Sequence, residues 1–160
     1  MRITPRRLAV GMSLYPPNLF SGIRVRRFSD DWTEAVVELR VNVLTRNYVR
    51  TAFGGSLSAM TDPYYFMLIA HQLGRDVVVW DTRGEIEFVK PGRGVLTARF
   101  EVSREKAAEL RERARGGAKV LEWFETEVHD ASGDVVARVR REVYVRERPE
   151  ITAAARDAQK

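Results

Sequence analysis

Four residues in the 160-residue chain have the types and spacing to do chemistry: Asn47, Gly54, Gly55 and Asp62. They fall within one stretch, Asn47 to Gly74, that joins a Gly-Gly turn to the longest apolar run in the sequence, Tyr64 to Ala70. Asp62 is an acid placed against that run. An ionised carboxylate there costs free energy unless it is paired or hydrogen-bonded. Such a group is a candidate base or nucleophile, because apolar neighbours such as Met60, Tyr64 and Phe66 would raise its pKa. Gly54 and Gly55 lack a Cβ, so a ligand could approach their backbone closely; equally, they could serve only to make a tight turn. The Asn47 amide both donates and accepts, and could orient a reacting group or satisfy its own loop.

Other chemistries find no support. The chain has no cysteine, which excludes disulfides, thiolate metal sites and a cysteine nucleophile. The two histidines, His71 and His129, have no second histidine at ligand spacing, so no metal site is expected. Neither the serine elbow pattern nor a glycine-rich phosphate motif occurs.

The elements that must position these residues follow from periodicity. Residues 1–21 read as a loosely structured N-terminal arm with one short turn near Pro17. Ile23, Val25 and Phe28, then Ala35, Val37, Leu39 and Val41, mark two strands with one wet face each. The apolar run reads as one long helix from Ser56, bent near Ala59 by Pro63 and stopped at Gly74. The alternative is a helix that starts at Asp62 under a Thr61 cap. Strands follow at Val77–Trp80 and Glu85–Val89, with a bulge between them, and then at Leu96–Val102. Ser103 caps a surface helix over residues 104–115. Two last strands, 119–129 and 135–146, flank an Asp-Ala-Ser-Gly-Asp hairpin loop, with a flexible tail over 147–160. The result is an α+β domain at 22–146, about six strands around one buried helix.

With 44% hydrophobic and 31% charged residues, the composition suits a soluble globular chain with its own core. No apolar run approaches the roughly 18 residues that span a bilayer. The N-terminus lacks the segments of a signal peptide, so a cytoplasmic location is expected. The net charge is +5, and all but four of the 27 basic residues are arginine. Arginine suits phosphate recognition. Nucleic acid is disfavoured, because no aromatic recognition strand or helix-turn-helix pattern accompanies the charge.

Three places resemble the hotdog fold, a curved antiparallel sheet wrapped on a central helix. Asn47 followed by Phe53-Gly54-Gly55 resembles the approach to the central helix in phenylacetate-pathway-type acyl-CoA thioesterases. Leu57 to Asp62 resembles the next part of that motif, and Phe88 to Gly94 the turn that ends a strand. The details look closest to an uncharacterised, domain-of-unknown-function branch of the superfamily. Phe53 departs from the pattern, which has histidine there. The resemblance implies a thioester hydrolase with Asp62 as base or nucleophile and the Gly54 and Gly55 amides as an oxyanion site. It implies no cofactor, coenzyme A entering as part of the substrate. Phe53, Tyr64 and Trp80 become candidates for binding substrate, although Tyr64 suits core or dimer packing as well. Lys90 and Arg93 become candidates for the coenzyme A phosphates. The resemblance also implies a homodimer or a dimer of dimers. A non-catalytic acyl or acyl-CoA binding protein is the competing expectation.

Overall fold

The computed structural model describes residues 3–150. Six strands form one antiparallel sheet: β1 (Ile23–Phe28), β2 (Glu34–Arg40), β3 (Val77–Phe88), β4 (Val95–Glu101), β5 (Val120–His129) and β6 (Val135–Glu147). Their spatial order is β1-β2-β4-β5-β6-β3, so β1 and β3 are the edges. The strands alternate as their sequences dictate; Ala35, Val37 and Leu39 of β2 and Leu96, Ala98 and Phe100 of β4 are buried on one face. The other face of β3, β5 and β6 carries an ion-pair ladder. Arg138 sits between Glu87 and Glu127 at 3.4 and 3.2 Å, and Arg140 between Glu85 and Glu125 at 3.2 and 3.1 Å. Arg26, Arg27 and Arg99 make similar cross-strand pairs with Glu38 and Glu34.

The N-terminal segment corrects the expectation of a loose arm. It forms α1 (Pro5–Leu14), capped by the Thr4 hydroxyl, and α2 (Pro16–Ser21). Two prolines at helix starts explain both elements, since proline is pre-set for the first helical turn. Ser13 fastens α1 to the sheet edge: its hydroxyl accepts from the Val25 N–H at 3.0 Å and donates to the Ala9 carbonyl at 2.8 Å.

The central helical segment comes in two pieces rather than as one bent helix. Helix α3 spans Gly54–Ala59, α4 spans Tyr64–Leu73, and a short 3-10 turn, Gly74–Asp76, leads into β3. Pro63 lacks an N–H, so the ladder cannot run through it. Asp62 N–H takes the Ala59 carbonyl instead, at 3.2 Å, and α4 begins after Pro63. Tyr64, Leu68 and Ile69 are completely buried against the sheet. Tyr65 reaches through the place where β4 and β5 part, donating to the Glu125 carbonyl at 2.5 Å. Those two strands pair only at Thr97–His129 and Ala98–Val128. Helix α5 (Arg104–Arg113) has its Ser103 cap as expected, the hydroxyl accepting from Lys106 N–H at 3.1 Å. Strand β3 is continuous from Val77 to Phe88, with the expected bulge between Asp81 and Arg83. Of the expected C-terminal tail, residues 151–160 lie outside the described residues, and β6 itself runs to Glu147.

Candidate active site

The break between α3 and α4 presents Asp62. Its carboxylate is half exposed, 3.6 Å from Arg141 Nη1. It is therefore not sunk among Met60, Tyr64 and Phe66 as its sequence neighbours suggest; the turn at Met60–Pro63 carries it outward. Arg141 is the reverse case, with only 11% of its side chain exposed. Its Nη2 donates to the Ser58 carbonyl at 2.8 Å and to the Thr61 hydroxyl at 3.0 Å. The Thr61 hydroxyl in turn donates to the Ser58 carbonyl at 2.8 Å. One guanidinium thus ties β6 to the end of α3 and lies beside Asp62.

At the other end of α3, Gly54 and Gly55 form the first turn. The Leu57 N–H is bonded to the Phe53 carbonyl at 3.1 Å, and the amides before it are the ones a helix leaves without internal acceptors. Two aromatic rings explain the glycines sterically. A Cβ on Gly54 would stand 3.1 Å from the Phe88 ring, and one on Gly55 would overlap the Phe53 ring. Phe53 and Phe88 are both 56% exposed, so the turn has an apolar, open rim.

Asn47 is consumed by its own loop. Its amide N–H donates to Thr51 Oγ1 and the Ala52 carbonyl at 3.0 and 3.1 Å, and its carbonyl accepts from the Thr51 N–H at 3.0 Å. That loop ends at the glycines, and the Ala52 N–H is bonded to the Gly92 carbonyl at 2.8 Å.

The structure separates the remaining candidates. Tyr64 is fully buried, its ring tilted 33° against that of Phe100 with centroids 5.0 Å apart, and so is a core residue rather than a pocket lining; burial pushes its phenol pKa up. Trp80 is 66% exposed on β3 and lines an open groove of about 1540 Å³ with Trp32, Phe66, Ala70 and His71. Lys90 is committed to the β5–β6 hairpin, 2.7 Å from Asp130 and 2.5 Å from Asp134, and those hydrogen bonds push its ammonium pKa up. Arg93 is exposed on the following turn and makes no ion pair among the described residues. His71 stacks on Trp32, and burial pushes its imidazole pKa down. His129 pairs with Glu127 at 3.3 Å. No group of three potential metal ligands converges among the described residues.

Two residues of the site escaped the pattern reading, Arg141 and Asp81. Both stand in the core-facing phase of their strands: Arg141 between Val139 and Val143, Asp81 after Val77 and Val79. A charged residue at an apolar phase was the signal available. Burial pushes the Asp81 carboxyl up to about 6, the charge of Asp62 adds to this, and Arg141 opposes it.

The sheet order, the central helical segment and the glycine turn at its start define a hotdog-fold protein. The chain belongs to the family described as a domain of unknown function (DUF4442), which matches residues 6–145. No curated protein sequence matches it. Among solved structures it is similar to a Pseudomonas aeruginosa protein of unknown function described as a "probable thioesterase", with TM-score 0.76 and 17% identity over 90% of this chain and 97% of that one. It is also similar to the E. coli PaaI protein from the phenylacetic acid degradation operon, with TM-score 0.61 and 18% identity over 86% and 89%. A Bacillus halodurans protein crystallised with CoA gives TM-score 0.50 and 19% identity over 69% and 66%. No helix among the described residues is long and apolar enough to cross a membrane.

Proposed function

We propose that the chain is a thioester hydrolase of the acyl-CoA thioesterase type, with Asp62 as general base or nucleophile. The observation that carries this reading is the Asp62 carboxylate, held at the α3–α4 break beside Arg141 in a hotdog frame. As a base, Asp62 takes a proton from water as its oxygen bonds to the thioester carbon; the C–S bond then breaks and the thiolate leaves. The Gly54 and Gly55 amides supply donors for the developing oxyanion. Asn47 serves by holding the loop that presents them. Phe53, Phe88 and Trp80 offer apolar surface to the acyl group, and Arg93, rather than Lys90, is free to meet a coenzyme A phosphate. The thioesterase descriptions among the similar structures and the CoA bound to one of them support the substrate class.

The active unit in this reading is a homodimer. Strand β3 is a 12-residue edge whose outer backbone groups face no other strand among the described residues. An edge of that length suits pairing with a second copy.

Asp62→Asn tests the assignment. Acyl-CoA hydrolysis should fall at least a hundredfold while the circular dichroism spectrum and melting temperature stay close to native. A variant that hydrolyses at the native rate overturns it. The Phe53 ring over Gly55, at the place where the thioesterase pattern it resembles has histidine, favours a second reading as an acyl-CoA binding protein without turnover. Calorimetric binding of acyl-CoA with no thiol release from the native protein would establish that reading instead.

A further inference from the structure

Asp81 and Arg141 lie on neighbouring strands, both turned toward the interior, and each keeps a buried polar atom without a partner: Asp81 Oδ1 and Arg141 Nε. Valine at either position would satisfy the alternation of its strand at no electrostatic cost. Gly84 makes room for the guanidinium. It is the residue opposite Arg141 in the ladder, and a Cβ there would overlap Arg141 Nη1. From Gly84 the side chain continues to Ser58, Thr61 and Asp62, so one arginine spans from the sheet to the α3–α4 turn.

We propose that Arg141 is the positioning residue for Asp62, and that Asp81 is a second carboxyl of the same site, coupled electrostatically to both. The proposal rests on the reading of Asp62 as the reacting carboxylate. The charges that act on Asp81 come from two elements, Asp62 on the α3–α4 turn and Arg141 on β6. Glu142, the next residue along β6, is held instead by the Thr82 hydroxyl at 2.7 Å, with Arg83 3.8 Å away. With Asp62 ionised, Asp81 holds its proton toward neutrality. Loss of the Asp62 charge releases that proton more easily, and loss of Arg141 retains it. The Asp81 carboxyl, raised to about 6, is therefore the group whose charge responds to both neighbours.

Carbon-13 carboxyl NMR titration of the full chain reads this coupling without any substrate. The Asp81 midpoint should lie near 6 in the native protein, fall in Asp62→Asn and rise in Arg141→Met. A midpoint that moves in neither variant overturns the proposal; if Arg141→Met does not fold, Asp62→Asn alone decides. The positioning role is read by kinetics. Arg141→Lys keeps the charge and loses the fork, so kcat should drop at least tenfold with KM for acyl-CoA within twofold of native. Gly84→Ala, which displaces the guanidinium without altering it, should give the same split. Native kcat in Arg141→Lys overturns the positioning role. If the native protein releases no thiol from acyl-CoA, the functional reading fails, and the titration still decides the coupling.

Discussion

The Trp32 indole and the His71 imidazole lie face to face, with ring centroids 3.7 Å apart and planes 7° from parallel. The stack joins the β1–β2 connection to the last turn of α4. Gln72 reinforces it, donating to the Trp32 and Val102 carbonyls at 2.9 Å each. Burial favours neutral His71, so its folded-state pKa lies below the ordinary 6.5. Its contribution to stability is present above pH 6.5 and is lost as pH falls through the folded-state value. His71→Gln should flatten that part of the acid limb in melting curves recorded from pH 7 to pH 5. Trp32→Ala should cost about 1–3 kcal/mol in denaturant unfolding.

Asp81 has the opposite sign. Its folded-state pKa is raised from 3.8 to about 6, so its stabilising share is complete below the lower value and is lost as pH rises through the upper one. Asp81→Asn removes the penalty of an ionised, half-buried carboxylate. The variant should gain on the native protein above pH 6, by about 1–2 kcal/mol once solvent screening is allowed for, and show no such gain at pH 4. Paired urea titrations at the two pH values would measure the difference.

Lys90 and Arg93 should separate in kinetics. Lys90→Met should lower the melting temperature, because it leaves Asp130 and Asp134 facing each other without their cation. It should leave KM for acyl-CoA and for a short thioester in the native ratio. Arg93→Glu should raise KM for acyl-CoA several-fold more than KM for the short thioester. Equal effects on the two substrates would remove Arg93 from the phosphate contact.

Gly92 is buried where the Phe88–Gly94 turn meets the Asn47 loop. A Cβ there would stand 2.6 Å from Leu96 and 2.9 Å from Val136, both buried and unable to yield easily. Gly92→Ala should therefore destabilise by about 1–3 kcal/mol. Because the Gly92 carbonyl holds the Ala52 N–H, hydrolysis should decline with it.

The strand pattern was legible because each strand has one buried face, which writes itself into alternating residues. Val135 to Val145 is the clearest case, and β2 and β4 follow it. The Gly54-Gly55 turn and the Ser103 cap were legible for a similar reason, since each depends on local chemistry. The segment before Gly22 was not, because α1 is held by contacts distant in sequence, Ser13 meeting a strand backbone twelve residues away and Ala9 entering the core. The place of Asp62 turned on Pro63: proline announced a disturbance in the helix, but which way the chain leaves it is settled by packing. Lys90 was misleading for a tertiary reason, its acidic partners being some forty residues on. Arg141 was visible in principle, as a charge in an apolar phase, but its purpose depends on Ser58, Thr61 and Asp62, which only the fold brings near.

The Ser13 contact has one more consequence. Val25 turns its N–H toward Ser13 rather than toward another strand, so α1 closes the β1 side of the sheet. Among the described residues, strand β3 is then the one long edge left open to a neighbour. In the proposed homodimer, pairing of two copies through β3 would take up both open edges and leave a helix-guarded flank at each end. In that proposed pair growth would stop at two copies, with α1 as a brake on further sheet extension. A chain shortened to begin at Gly22 would lose that brake and extend from both sides.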